Sequence, residues 1–238
     1  MKLIQLNLWD GRLIRNIEQF LQDQQPDILC LQELEFYPDH ADWHLAALKK
    51  VTGLEHHYFS RALGYKHFGK DCEWGNCIIS RYPLLDKHSH FVHGEYDPDW
   101  YIGKDFNKRN VQSARVETPA GTFNIVNHHG LHVPGTKLGN DLITSVMQGI
   151  YDHIVTLGGP TILTGDFNLA PESPSLNVLN DNMRNLCVEN NIETTRNFTA
   201  KRLVEVCDYI YVSRDIKVKN FYVPDDIMSD HQPLVLEL

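Results

Sequence analysis

A chain of 238 residues, 42% of them hydrophobic, can build one large core without a partner, and its formal charge of −9 speaks against broad, nonspecific capture of nucleic acid. No Pro/Gly/Ser-rich linker, internal repeat or low-complexity run interrupts residues 1–238, so a single domain is expected. The N-terminus, MKLIQLNLWD, turns polar too early for a signal peptide, and no apolar run approaches membrane-spanning length. The expectation is a soluble, cytoplasmic protein with no membrane insertion and no obligate protein partner.

The first strand is KLIQLNLW, with Asn7 near its end, followed by a turn at Asp10-Gly11. Residues 12–24 place Leu13, Ile17, Phe20 and Leu21 on one helical face, and Pro26 stops that helix. DILCLQE follows as a strand of nearly continuous apolar character, ended by Gln32 and Glu33. Strand, helix, strand at this spacing is a βαβ-like opening. A second amphipathic helix is expected over 40–52, through Trp43, Leu45, Ala46, Leu48 and Val51, closed by Gly53. HHYFS (56–60) and NCIIS (76–80) read as strands joined by a loop that holds Arg61, Lys66 and Lys70.

The segment from Lys87 to Asn110 is the least regular. It carries Phe91, Tyr96, Trp100, Tyr101 and Phe106 and closes with Lys104, Lys108 and Arg109. Aromatics interleaved with cations can form a wall for stacking and phosphate contact, which makes Trp100, Tyr101 and Arg109 candidates for substrate binding. Anchoring a long loop on the core is the commoner use of such residues. VQSARVET-PAG-TFNIVNHH is a hairpin whose second strand ends in Asn127, His128 and His129. A helix over 140–157, with Asn140 as N-cap, leads through GGP into TILTGDFN.

Thr161 to Thr164 form a buried strand, and Gly165 frees Asp166 and Asn168 to turn out of its end. A carboxylate and a carboxamide two residues apart suit a phosphoryl group beside a metal ion, although in isolation they equally suit a loop that bonds its own backbone. Beyond a short helix in SPSLNVLNDN, capped by Ser173 or Ser175, residues 181–204 resist assignment. VEVCDYIYVS (204–213) alternates as a strand with Asp208 in its middle, and VKNFYVP and PLVLEL complete the set. A mid-strand carboxylate needs a partner. His231, in SDH, supplies one, and a carboxylate on one imidazole nitrogen fixes the tautomer and raises basicity. The five cysteines (Cys30, Cys72, Cys77, Cys187, Cys207) are an odd, scattered set that suits buried reduced thiols; the Cys72/Cys77 spacing fits no common zinc motif.

LNLW with Asn7, LQE with Glu33, WGNCIISRYPL, VNHHG with His129, TGDFN, CDYIYVS and SDH, in this order, resemble the endonuclease/exonuclease/phosphatase superfamily over essentially the whole chain. The resemblance implies an α/β fold, a four-layer α-β-β-α sandwich with two mixed β-sheets packed face to face. It implies a phosphohydrolase, of phosphodiesterase or nuclease type, dependent on Mg²⁺ or Mn²⁺, with Asn7, Glu33 and Asp230 at the metal and His129, Asp166, Asn168, Asp208 and His231 in catalysis. Asn168 would also hold substrate phosphate, and either Asp166 or His231 would act on the attacking water. Ser145 stands where many relatives carry an arginine. A nucleic acid end, lesion or adduct is the first expectation for substrate, a small phosphodiester or phospholipid head group the second. A binding module that has lost catalysis should lack one of these residues, and none is missing. Ser229 beside Asp230-His231 lacks the glycine-rich elbow of a serine hydrolase.

Overall fold

The computed structural model describes residues 1–38, 43–133, 135, 137–200 and 205–238. In chain order the elements are β1 (Lys2–Asn7), α1 (Ile14–Gln24), β2 (Ile28–Phe36), α2 (Trp43–Thr52), β3 (His56–His67), β4 (Lys70–Ser80), β5 (Leu85–His93), β6 (Arg109–Thr118), β7 (Gly121–His129) and α3 (Asp141–Leu157). The chain continues with β8 (Thr161–Asp166), α4 (Asn177–Asn182), β9 (Arg184–Asn185), α5 (Leu186–Glu189), β10 (Asp208–Val212), β11 (Asn220–Tyr222) and β12 (Leu234–Glu237). Two six-stranded sheets result, ordered β11-β12-β1-β2-β4-β3 and β5-β6-β7-β8-β10-β9.

Side-chain alternation builds the layers. Ile4 and Leu6 of β1, with Leu29 and Leu31 of β2, pack against Ile17, Phe20 and Leu21 of α1 and Leu45 and Leu48 of α2. Leu3, Ile28 and Cys30, one residue out of phase, join the core shared with the second sheet. Ile143, Val146, Met147, Ile150 and Ile154 of α3 close that core from the far side. Each sheet holds one parallel pair, β1/β2 and β7/β8, among antiparallel neighbours. This is the expected α/β sandwich of two mixed sheets. All five cysteines are buried and unbridged, and among the described residues no helix is long and apolar enough to cross a membrane.

Four local expectations change. The cationic loop between HHYFS and NCIIS is mostly strand: β3 and β4 form one long hairpin, turned at Phe68 and Gly69, whose φ angles are 49° and 77°. The irregular stretch begins only after β5, an edge strand whose polar sequence DKHSHFVH gives little apolar alternation. β2 does not end at Glu33 but continues to Phe36 through a bulge between Leu31 and Leu34. Asp208 is the first residue of β10, not its middle. For the helix expected over 40–52 and the strand over 204–213, residues 40–42 and 204 lie outside the described residues. Asn140 caps α3 as expected, its Oδ1 accepting from Ile143 N at 3.0 Å.

Candidate active site

Three central strands of the second sheet end in one row. His129 of β7 lies opposite Asp166 of β8, which lies opposite Asp208 of β10. Gly165 is required here because a β-carbon would run into the His128 carbonyl oxygen of the neighbouring strand. Past the strand end, Asn168 takes a left-handed backbone, with φ 56°. Asp166 both bonds its own loop backbone and faces the other side chains of the site. Its Oδ1 accepts from Asn168 N at 2.9 Å, while Oδ2 takes the Asn7 amide at 3.1 Å and faces His129 Nε2 and His231 Nε2 at 3.7 and 3.6 Å.

His231 precedes β12 in the first sheet, and its Nδ1 lies 2.8 Å from Asp208 Oδ2. The carboxylate is buried and heavily held. Oδ2 also accepts from Thr195 Oγ1 at 2.7 Å, and Oδ1 accepts from Gln5 Nε2 at 3.2 Å. Gln5 donates as well to Gln32 Oε1, and Gln32 donates to Asn127 Oδ1, so a run of amides crosses between the sheets behind the site. Burial opposes the imidazolium, but Asp208 and Asp166 outweigh it and raise the His231 pKa well above its ordinary value. Arg196 Nη1 approaches His231 Nε2 at 2.6 Å, an arrangement that requires that nitrogen unprotonated. Arg196 Nη2 pairs with Asp230 Oδ2, also at 2.6 Å.

Glu33 reaches the same pocket from the bulge in β2, where its φ of 57° turns the side chain away from the strand's alternation. Asn7 donates to Glu33 Oε1 at 3.2 Å as well as to Asp166, while its own oxygen accepts from Trp9 N. In this arrangement Asn7 aligns the carboxylates with its nitrogen instead of offering them an oxygen neighbour. Removal from water, with Asp10 adding repulsion, pushes the Glu33 carboxyl up to about 7. His129 Nε2, 3.8 Å from Glu33, does little to offset this, because burial and Arg109 keep that imidazole neutral. The Glu33 and Asp166 carboxylates, drawn together by Asn7, offer the oxygen donors that suit a hard divalent cation. Asp166, Cys207 and His231 bring ligand atoms within 4.8 Å of one another, so this group also could hold a metal ion.

A cleft of about 810 Å³ opens over these groups. Of the residues expected there, Glu33, His129, Asp166, Asn168, Asp230, His231 and Arg109 line it, and Asn7 and Asp208 stand directly behind. Trp100 and Tyr101 do not. Trp100 packs on Ala62, Leu63 and Trp74, and Tyr101 is exposed with Lys104 over its ring at 5.0 Å. Phe106 is the loop's aromatic at the cleft, 5.8 Å from the His132 ring. Arg109 is buried, donating to the Gly130 and Phe106 carbonyls, and burial brings its pKa down to about 10.

Residues 4–231 match the endonuclease/exonuclease/phosphatase family. The chain belongs to that family. It is a hydrolase acting on phosphoester bonds. The fold is similar to that of an endonuclease/exonuclease/phosphatase from Beutenbergia cavernae, with TM-score 0.76 and 18% identity over 99% of this chain and 70% of that one. It is similar to a family protein from Bacteroides vulgatus, with TM-score 0.75 and 22% identity over 100% and 98%. A mannosyl-6-phosphatase from Bacteroides thetaiotaomicron gives TM-score 0.70 and 20% identity over 100% and 98%. No curated protein sequence matches the chain.

Within this family member, Arg196, Thr195 and Lys137 are site residues that sequence reasoning left unplaced. Lys137 Nζ donates to Asn168 Oδ1 at 2.7 Å. Arg196 and Thr195 lie in the polar stretch after α5, which has no periodicity to read. A backbone bridge from Arg196 to His231 and the bond from Gln232 N to Thr195 O bring that stretch to His231.

Proposed function

We propose that this family member is a divalent-cation-dependent phosphohydrolase of small phosphoesters, in which His231 is the general base and Asp166 orients the attacking water. The observation that carries the choice of substrate is the placement of the aromatic loop: Trp100 and Tyr101 lie outside the cleft, leaving Phe106 as that loop's aromatic contact. A cavity of about 810 Å³ suits a ligand the size of a sugar phosphate or nucleotide. The formal charge of −9 supports the same choice over long duplex DNA.

Mg²⁺ or Mn²⁺, held by Glu33 and Asp166, would neutralise charge on the phosphoryl oxygens. The chain's own residues do the rest. Burial opposes the Asp166 charge, but His231, Lys137 and Arg196 hold that carboxyl far below the usual range, which makes it a weak base and a reliable acceptor. His231, raised by its two carboxylates, is the stronger base, and Asp208 keeps Nε2 turned toward the cleft. Arg196 occupies Nε2 until an anionic substrate draws the guanidinium away. Lys137, Arg196 and His132 then face the phosphate as its charge grows.

A nucleic acid end is the second reading, favoured by the Phe106–His132 ring pair at the cleft. The five buried, unbridged cysteines support a reducing, cytoplasmic setting. The test is a Mg²⁺-dependent hydrolysis screen of wild type beside His231→Ala, covering sugar phosphates, inositol phosphates, sphingomyelin, nicked and abasic DNA, blocked single strands and RNA. Turnover of a small phosphoester, lost in the variant and on EDTA treatment, is expected. Turnover confined to nucleic acids selects the second reading, and full activity in metal-free protein refutes the mechanism.

A further inference from the structure

Three histidines meet where α3 covers the edge of the second sheet, and none of them lines the cleft. His88 and His90 stand two apart on β5 and so project to the same side of the strand. His153 comes onto them from α3. His90 Nδ1 lies 3.2 Å from His88 Nε2, and the ring centroids are 5.3 Å apart for His88–His153 and 5.0 Å for His90–His153. One nitrogen from each of the three falls within 4.8 Å of the others. Behind them Ser113 Oγ, on β6 opposite His88, touches His153 Nε2 at 3.0 Å and orients that ring.

We propose that His88, His90 and His153 form a second metal site, for a transition-metal dication such as Zn²⁺, that ties the edge strand β5 to α3. Three imidazoles with no carboxylate among them suit zinc, nickel or copper and offer Mg²⁺ little. A nitrogen pair 3.2 Å apart already sits at the spacing two ligands take around one ion at Zn–N distances of about 2.0–2.1 Å. His88 is exposed and the other two are half-buried, so an ion has a way in and a fourth position for water. Burial and mutual repulsion lower the pKa of His153 and His90, which favours the neutral, metal-binding form of both rings. The hydroxyl of Ser113 provides the outer hydrogen bond that commonly fixes a ligating ring. Nothing in the phosphoester chemistry uses these residues.

The experiment is calorimetric titration of Zn²⁺ into the full-length protein with Mg²⁺ in excess, for wild type, His153→Gln, His88→Ala and His231→Ala. The expected result is one saturable zinc equivalent whose affinity falls by roughly tenfold or more in His153→Gln and His88→Ala but persists in His231→Ala. Zinc should also raise the melting temperature of wild type and not of His153→Gln, since an ion held by the folded state alone stabilises it. The Mg²⁺-dependent hydrolysis rate of His153→Gln should equal that of wild type. Zinc isotherms that superimpose for wild type and both histidine variants would overturn the site. So would zinc binding lost only in His231→Ala, which would place the ion on Asp166, Cys207 and His231 instead.

Discussion

The 2.8 Å contact between His231 Nδ1 and Asp208 Oδ2 joins the two sheets, since Asp208 opens β10 in one and His231 precedes β12 in the other. Asp208→Asn keeps the shape but takes away the charge that favours protonation of Nε2. Turnover should fall about 100-fold or more, within the range general base catalysis contributes, with KM little changed. Steady-state kinetics on any substrate found in the screen will show this. An unchanged rate would make the pair a structural fastener.

Arg196 gives an opposite test of the same base. Its guanidinium, 2.6 Å from Nε2, works against protonation of His231. Arg196→Met removes that opposition, so the His231 pKa rises and the unprotonated base is reached only at higher pH. The acid limb of kcat/KM should move to higher pH by on the order of one unit, and KM for an anionic substrate should rise. A pH profile that does not move would separate Arg196 from the base.

His128 predicts a pH dependence of stability. It is fully buried, and burial lowers its pKa from 6.5 to about 4. The unfolded chain therefore binds more protons than the folded one between those values. Stability is complete above about pH 6.5 and falls as pH drops toward 4, by about 3 kcal/mol at most. Urea titrations from pH 7 to 4 should show this slope, and His128→Leu should make it shallower, the rest coming from His129 and His153.

Gly165→Ala tests the close approach of β7 and β8. The added methyl meets the His128 carbonyl, so the strands must part just before Asp166. A stability loss of on the order of 2 kcal/mol is expected, together with a fall in turnover. Gly149, with nothing near its β-position, is the control: Gly149→Ala on α3 should stabilise slightly.

Strong local patterns were readable from the chain alone. The α3 face, its Asn140 cap and the β6/β7 hairpin all follow from contacts within a few residues, as does the buried run before Asp166. That Glu33, Asp166, Asn168, Asp208 and His231 belong together was readable only through the family's ordered motifs, and the fold does bring them to one cleft. Tertiary structure alone decided what surrounds them. Gln5 reaches Asp208 across 203 positions of chain, and Arg196 reaches His231 across 35. Such partners satisfy buried charge and leave no local period. The bulge that turns Glu33 inward depends on how β2 pairs with β4, and Trp100 leaves the cleft because Ala62, Leu63 and Trp74 offer it an apolar seat. Spacing along the chain records helix and strand; it does not record which distant dipole meets a buried carboxylate.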